Sequence, residues 1–290
     1  MIELRHVTKR YYSLVALDQL SLTIAPNEVL GIVGPNGAGK TTLFKLLAGL
    51  IRPDEGSIEP RSAVWPTIGF KPERLLYPGH MRLTHYLQVA AAVANIPRTH
   101  INQAVSEALT QLHLTEFAQK RVRDCSKGMR QRLGLAQAML GKPALVLLDE
   151  PTDGLDPDGQ ESIFQAIRSL QATGQTVILA SHQLQMITDV CTRLIILNRG
   201  QVYYEGSMRE ALSLRPQATI IATQDLAPLA SLLQSLHPEI KVNGETVTLA
   251  HDALPLRRHV LSLMLGAGFD VSHVEQKRTT IHDIYAEVVR

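Results

Sequence analysis

The chain has 290 residues, 45% of them hydrophobic and 19% charged, enough for one large domain with an ample core and a second, small one. Its formal net charge of +2 lacks the basic excess of a nucleic-acid-binding face, so no nucleic-acid partner is expected. The longest apolar runs, 144–148 and 176–180, have strand length and predict no bilayer-spanning helix, and the two distant cysteines, Cys125 and Cys191, read as reduced packing residues.

Residues 2–7 and 20–24 alternate apolar and polar side chains and read as antiparallel strands. The opening Met1-Ile2-Glu3-Leu4-Arg5 has no signal-peptide core, which predicts a cytosolic protein. Between the strands lies Lys9-Arg10-Tyr11-Tyr12. Tyr11, in preference to Tyr12, is a candidate to stack on an adenine, with a surface tyrosine as the equal alternative. The apolar run 29–33 delivers Gly34-Pro35-Asn36-Gly37-Ala38-Gly39-Lys40-Thr41, with Thr42 behind it, and a helix-period stretch over 43–50 follows. A glycine, four free positions and Gly-Lys-Thr between a strand and a helix form a phosphate loop. Its backbone N–H groups converge on anionic oxygens and the helix adds its positive dipole end. Lys40 is expected to reach the β- and γ-phosphates, and the Thr41 hydroxyl to ligate Mg²⁺.

Turn chemistry at 52–57 leads to a short strand pair around Trp65 and Pro66. Leu83, Leu87, Ala90, Val93 and Ala94, then past Pro97 Ile101, Val105, Ala108, Leu109 and Leu112, repeat at helical spacing. They predict an inserted helical lobe whose stripes are core. Ser126-Lys127-Gly128-Met129-Arg130-Gln131-Arg132 opens another helix, with Ser126 at a cap position and the end at Gly141. A glycine at a helix start is a second, weaker anion-ready terminus. The strand 144–148 then delivers the adjacent carboxylates Asp149 and Glu150, one to hold Mg²⁺ through its water shell, the other to polarise the attacking water.

A turn over 151–157 and a helix over 159–171 precede the buried strand 176–180, which ends at Ser181-His182. At the carboxyl edge of a parallel sheet, a catalytic role for His182 is favoured over a structural one. A strand at 193–198, a turn at 199–201 and a helix over 208–214 finish the first domain, and Pro216 marks its boundary. Beyond it come a strand (218–222), a helix from Asp225, strands at 240–242 and 246–249 around Asn243-Gly244, a helix with Leu256, Val260, Leu263 and Met264, and a strand near 269–274. This is βαββαβ, a ferredoxin-like order. Thr279 or Thr280 caps a last helix carrying Ile281, Ile284, Tyr285 and Val288. With no phosphate loop or carboxylate pair there, the piece is read as a regulatory or interaction module, or an inert stabilising appendage.

With the loop 34–42, the segment 126–132, Asp149-Glu150, Leu155-Asp156 and Ser181-His182 in this order, the chain resembles the ATP-binding subunits of ABC transporters over residues 1 to about 215. The resemblance implies an α/β P-loop ATPase domain (1–215) with a mixed-sheet core, an antiparallel β edge and a helical lobe at about 75–143, followed by a small α+β βαββαβ domain (216–290). It implies a head-to-tail dimer in which ATP lies between the phosphate loop of one copy and Ser126 and Gly128 of the other. Glu150 is then the catalytic base, Lys40 and His182 act on the γ-phosphate, Asp156 communicates across the dimer, and Tyr11 stacks on adenine. The implied partners are a second copy or a homologous ATPase subunit and an integral membrane permease, at the inner face of the cell membrane. The transported substrate would touch the permease and never this chain.

Four departures from the commonest pattern stand out. Ser126-Lys127-Gly128-Met129 replaces Ser-Gly-Gly-Gln and resembles the branch that pairs with type-2 ABC membrane proteins, mostly exporters. Glu73 stands where glutamine is usual and could still approach Mg²⁺; the connection 57–68 is short, which predicts a trimmed antiparallel edge; and the C-terminal domain is an addition to the common core. A soluble ATP-driven clamp acting on nucleic acid or ribosomes is the rival, disfavoured by a single ATPase domain and near-neutral charge. An ATP sensor without hydrolysis is disfavoured by the presence of both Glu150 and His182.

Overall fold

The computed structural model describes residues 1–74, 76–213, 217–277 and 281–289. They form two compact units, one built chiefly from Met1–Met208 and the other from Arg209–Glu287. The expected boundary at Pro216, the helix end at Leu214, the lobe start at Leu75 and the capping threonines Thr279 and Thr280 lie outside the described residues.

The first unit opens with β1 (Ile2–Tyr11), β2 (Leu14–Ile24), β3 (Val29–Val33), α1 (Lys40–Leu47), β4 (Glu55–Pro60) and β5 (Ile68–Lys71). The lobe follows as α2 (Leu83–Val93), α3 (Arg98–Gln111) and α4 (Lys127–Met139). Then come β6 (Leu145–Asp149), α5 (Pro157–Ala172), β7 (Thr176–Ala180), α6 (Leu184–Val190), β8 (Arg193–Asn198) and β9 (Gln201–Ser207), with α7 (Met208–Ser213) leading out.

Six strands lie in the order β5-β6-β7-β3-β8-β9; all pairs are parallel except β8 with β9. Every residue of β3, β6 and β7 is buried, as their unbroken apolar runs require of central parallel strands covered on both faces. Because these strands run the same way, Val33, Lys71, Asp149 and Ala180 all end at one edge of the sheet, where ligands bind in folds of this kind. A second sheet, β2-β1-β4, is antiparallel throughout. Its Ile2, Leu4, Leu20, Leu22 and Ile24 join Leu30, Ile32, Phe44 and Leu147 in one core.

Several expectations need correction. No strand pair forms around Trp65 and Pro66: β4 joins β1 in the antiparallel sheet while β5 joins β6 in the parallel one, and the residues between them add no strand. Residues 55–57 open β4 instead of closing a turn, and α1 begins at Lys40, so Lys40 and Thr41 lie in the first helical turn. Helix α6 follows His182, where the sequence pattern predicts no helix.

The second unit contains β10 (Gln217–Ala222), α8 (Ala227–Leu236), β11 (Ile240–Asn243), β12 (Thr246–Ala250), α9 (Arg257–Gly266) and β13 (Val271–Lys277); α10 (Ile281–Val289) ends the described chain. The sheet order β11-β12-β10-β13, antiparallel throughout, is the ferredoxin-like arrangement that the βαββαβ pattern predicts. It has its own core, with Ile220, Leu226, Leu233, Val247, Leu249, Val260 and Met264 among its buried members.

Candidate functional site

Past β3, the chain must turn within a few residues from a buried strand into a helix that starts beneath it. Gly39 makes this turn at φ +105°, and a Cβ there would sit 2.4 Å from the Ala16 carbonyl oxygen, so both backbone angle and space call for glycine. Lys40 follows, buried, its Nζ donating to the carbonyl oxygens of Gly34 at 2.7 Å and Pro35 at 3.1 Å. Burial pulls its ammonium below the ordinary lysine value, against the pull of the Glu150 and Asp149 charges. Thr41 donates its hydroxyl to Asp149 Oδ2 at 3.0 Å and so ties the loop to the end of β6.

Asp149 is buried, which pushes its carboxyl above the ordinary range while the Thr41 bond works the other way. The next residue, Glu150, takes the left-handed conformation at φ +47° and donates its N–H to Ala180 O at 2.9 Å. Its Oε2 meets His182 Nδ1 at 2.9 Å. Burial raises the Glu150 carboxyl and the His182 contacts oppose the rise. Two adjacent β-strands, β6 and β7, thus bring together a carboxylate and an imidazole that lie 32 positions apart.

One cavity of about 720 Å³ gathers Asn36, Gly37, Ala38, Gly39, Lys40, Thr41, Thr42, Glu73, Asp149, Glu150 and His182. Tyr11, at the end of β1, also lines it, with Lys9 Nζ 5.9 Å from its ring centre, whereas Tyr12 is fully exposed and outside the lining. Gly34 and Pro35 contribute the carbonyls that receive Lys40.

Ser126, Gly128 and Asp156 are not among the residues lining this cavity. Ser126 caps α4, its Oγ accepting from Met129 N at 3.2 Å, and Asp156 caps α5, its Oδ1 accepting from Gly159 N at 2.9 Å. Gly128 packs near Leu155, whose Cδ2 a Cβ would approach to 3.2 Å. Lys127 crosses Gly154 to pair with Asp153 at 2.7 Å, which holds the Asp153 carboxyl below the ordinary range. A neighbouring groove of about 390 Å³, which shares Glu73 with the cavity, is lined by Glu73, Arg74 and Tyr77 from the segment after β5 and by Lys127, Arg130 and Gln131 of α4.

Sequence reasoning missed Lys71. It is fully buried at the end of β5 and donates to the carbonyl oxygens of Asp149 (2.9 Å), Glu150 (3.1 Å) and Pro72 (3.3 Å). Burial pulls its ammonium down to about 8. A lysine beside Pro72 and Glu73 reads as a solvated strand end, and only the neighbouring β6 reveals otherwise. Cys125 and Cys191 are free and buried, as expected. Among the described residues no helix is long and apolar enough to cross a membrane.

The model of the ABC transporter family matches residues 17–153. The chain is 30% identical over 297 residues to the ABC transporter ATP-binding protein YhaQ of Bacillus subtilis (strain 168), covering 100% of this chain and 98% of that one. It is 30% identical to the daunorubicin resistance ATP-binding protein DrrA3 of Streptomyces coeruleorubidus (96% and 92% covered) and 33% identical to the Nod factor export ATP-binding protein I of Sinorhizobium fredii (85% and 75% covered). Among solved structures, the dimeric bacterial ABC transporter cassette MJ0796 superposes with a TM-score of 0.66 at 25% identity, over 72% of this chain and 99% of its own. Similarity of this extent along the whole chain shows that it belongs to the ABC transporter ATP-binding proteins and is an ATPase of that family.

Proposed function

We propose that this ATPase is the motor subunit of an exporter, closing as a dimer around two ATP molecules and driving a separate membrane permease from the inner face of the cell membrane. The observation that carries the catalytic part is the Glu150–His182 contact of 2.9 Å at the wall of the cavity that also holds Lys40 and Thr41. Export is supported by the names of the Nod factor and daunorubicin relatives and by the Ser-Lys-Gly-Met segment.

In this reading Lys40 leaves its two carbonyls for the β- and γ-phosphates, the N–H groups of 36–42 cradle them, and Tyr11 covers the adenine. Thr41 and Asp149 present one hydroxyl and one carboxylate at 3.0 Å, a donor set that suits Mg²⁺, which keeps several waters and takes its other ligands from phosphate. Bound there, with Glu73 nearby, Mg²⁺ would neutralise charge on the phosphate oxygens. Glu150 takes the proton of the attacking water, and His182 holds Glu150 in place and faces the γ-phosphate. Ser126, Gly128 and Asp156 act from the other copy. The membrane permease would seat in the groove beside Glu73 and carry the substrate, while residues 216–290 form a regulatory or interaction domain.

Glu150→Gln tests the assignment. Turnover should fall by at least about 100-fold while ATP binding persists and an ATP-bound dimer accumulates on size exclusion. Wild-type turnover in the variant would remove Glu150 from the role.

A further inference from the structure

We infer that Lys71 is a positioning residue for hydrolysis, acting through the main chain of Asp149 and Glu150. The ladder between β5 and β6 runs from Ile68↔Leu145 to Lys71↔Leu148 and stops there. The next residue on the β5 side is Pro72, which has no N–H to donate, so β5 offers no backbone donor to the carbonyls of Asp149 and Glu150. The Lys71 side chain fills the gap. Its three N–H groups meet three carbonyl oxygens, at 2.9, 3.1 and 3.3 Å, and the whole residue is buried.

These bonds bind together two chain segments that carry chemistry. One is the turn at Glu150, held in the left-handed region at φ +47°, from which the carboxylate projects toward His182. The other is the exit of β5 through Pro72 to Glu73. An ammonium is the group for this task, since it supplies three donors to acceptors in different directions from a stem long enough to reach them. Without it, the Asp149 carbonyl loses a donor, the Glu150 carbonyl is left with the Asp153 N–H at 3.5 Å, and a strained backbone loses a restraint. A displacement of about 1 Å at a catalytic base is enough to cost about 100-fold in rate.

The inference rests on Glu150 being the base, and a double-mutant cycle keeps the two claims apart. In the full-length chain, Lys71→Met, which keeps the length and shape of the stem, should lower kcat about 10- to 100-fold while KM and the dissociation constant for a fluorescent ATP analogue stay within about 2-fold. In the Glu150→Gln background, single-turnover rates with and without Lys71→Met should be equal. Lys71→Arg, which keeps the donors and the charge, should recover part of the lost kcat. If Lys71→Met does not fold, Lys71→Gln, with two donors on a shorter stem, carries the same cycle. Wild-type kcat in the variant, a loss seen only in KM, or an equal loss in the Glu150→Gln background would overturn the inference. Normal turnover in Glu150→Gln alone would overturn the base assignment instead.

Discussion

A carboxylate taken out of water must be repaid by partners or it shifts toward its neutral form. Glu150 is such a case: its side chain is only 13% exposed, and its close side-chain partner among the described residues is His182. The sign of the pH effect follows from its raised pKa. Folding favours the protonated form, so this contribution to stability is complete below the ordinary glutamate value of about 4.3 and is lost as pH rises through the folded value. Above that range the ionised form is the one that burial disfavours in the fold, and Glu150→Gln removes the ionisable group. The variant should melt at a higher temperature than wild type at pH 7.5, and the gap should shrink as pH falls toward 4.5, measured by scanning calorimetry. A gap of the same size at both pH values would show that burial of the charge is not its cause. At this scale the sequence was legible where residue type and position in a motif both carry meaning, as for Lys40, Thr41, Asp149 and Glu150. It was silent on Lys71, because alternation along a four-residue strand cannot distinguish a buried ammonium from a solvated one.

Elements meet closely where a side chain is missing. In β5, a Cβ added to Gly69 would lie 1.8 Å from the Ala138 carbonyl oxygen, a backbone atom near the end of α4. The helix that begins at Ser126 is thus seated on the sheet by the absence of a methyl group. Gly69→Ala should force α4 away from β5 and destabilise the protein by about 1–3 kcal/mol, read from urea unfolding. A change within 0.5 kcal/mol would mean that α4 shifts at almost no cost. Elements with a distinctive pattern are legible: the helical period of α4 with its Ser126 cap, the unbroken apolar runs of β3, β6 and β7, and the βαββαβ order of the second unit. The errors fell on short pieces. The seven residues of α6 make two turns, too few for a period to emerge, and β4 and β5 are neighbours in sequence whose partners, β1 and β6, are distant. A strand shows its period in sequence but not its partner.

At the scale of the whole molecule, the cavity that gathers the phosphate loop and Glu150 is lined by none of Ser126, Lys127, Gly128 or Met129 of the same chain. In the proposed closed dimer those residues would serve ATP in the other copy, since two-fold symmetry would set each segment against the partner's loop. This gives a complementation test. A Lys40→Ala chain has a broken loop and an intact 126–129 segment; a Gly128→Asp chain has the reverse. Each alone should be nearly inactive, because every site in either homodimer contains one broken half. Mixed at equal concentration, random pairing makes about half the dimers mixed, and each mixed dimer contains one site with both halves intact, so about a quarter of all sites are restored. ATPase activity should rise on mixing to at most about a quarter of wild type, and less if the two sites must fire together. Activity no greater than the average of the two separate variants, in a mixture shown by light scattering to contain dimers, would mean that each chain completes its own site and that closure between copies is not how this motor works.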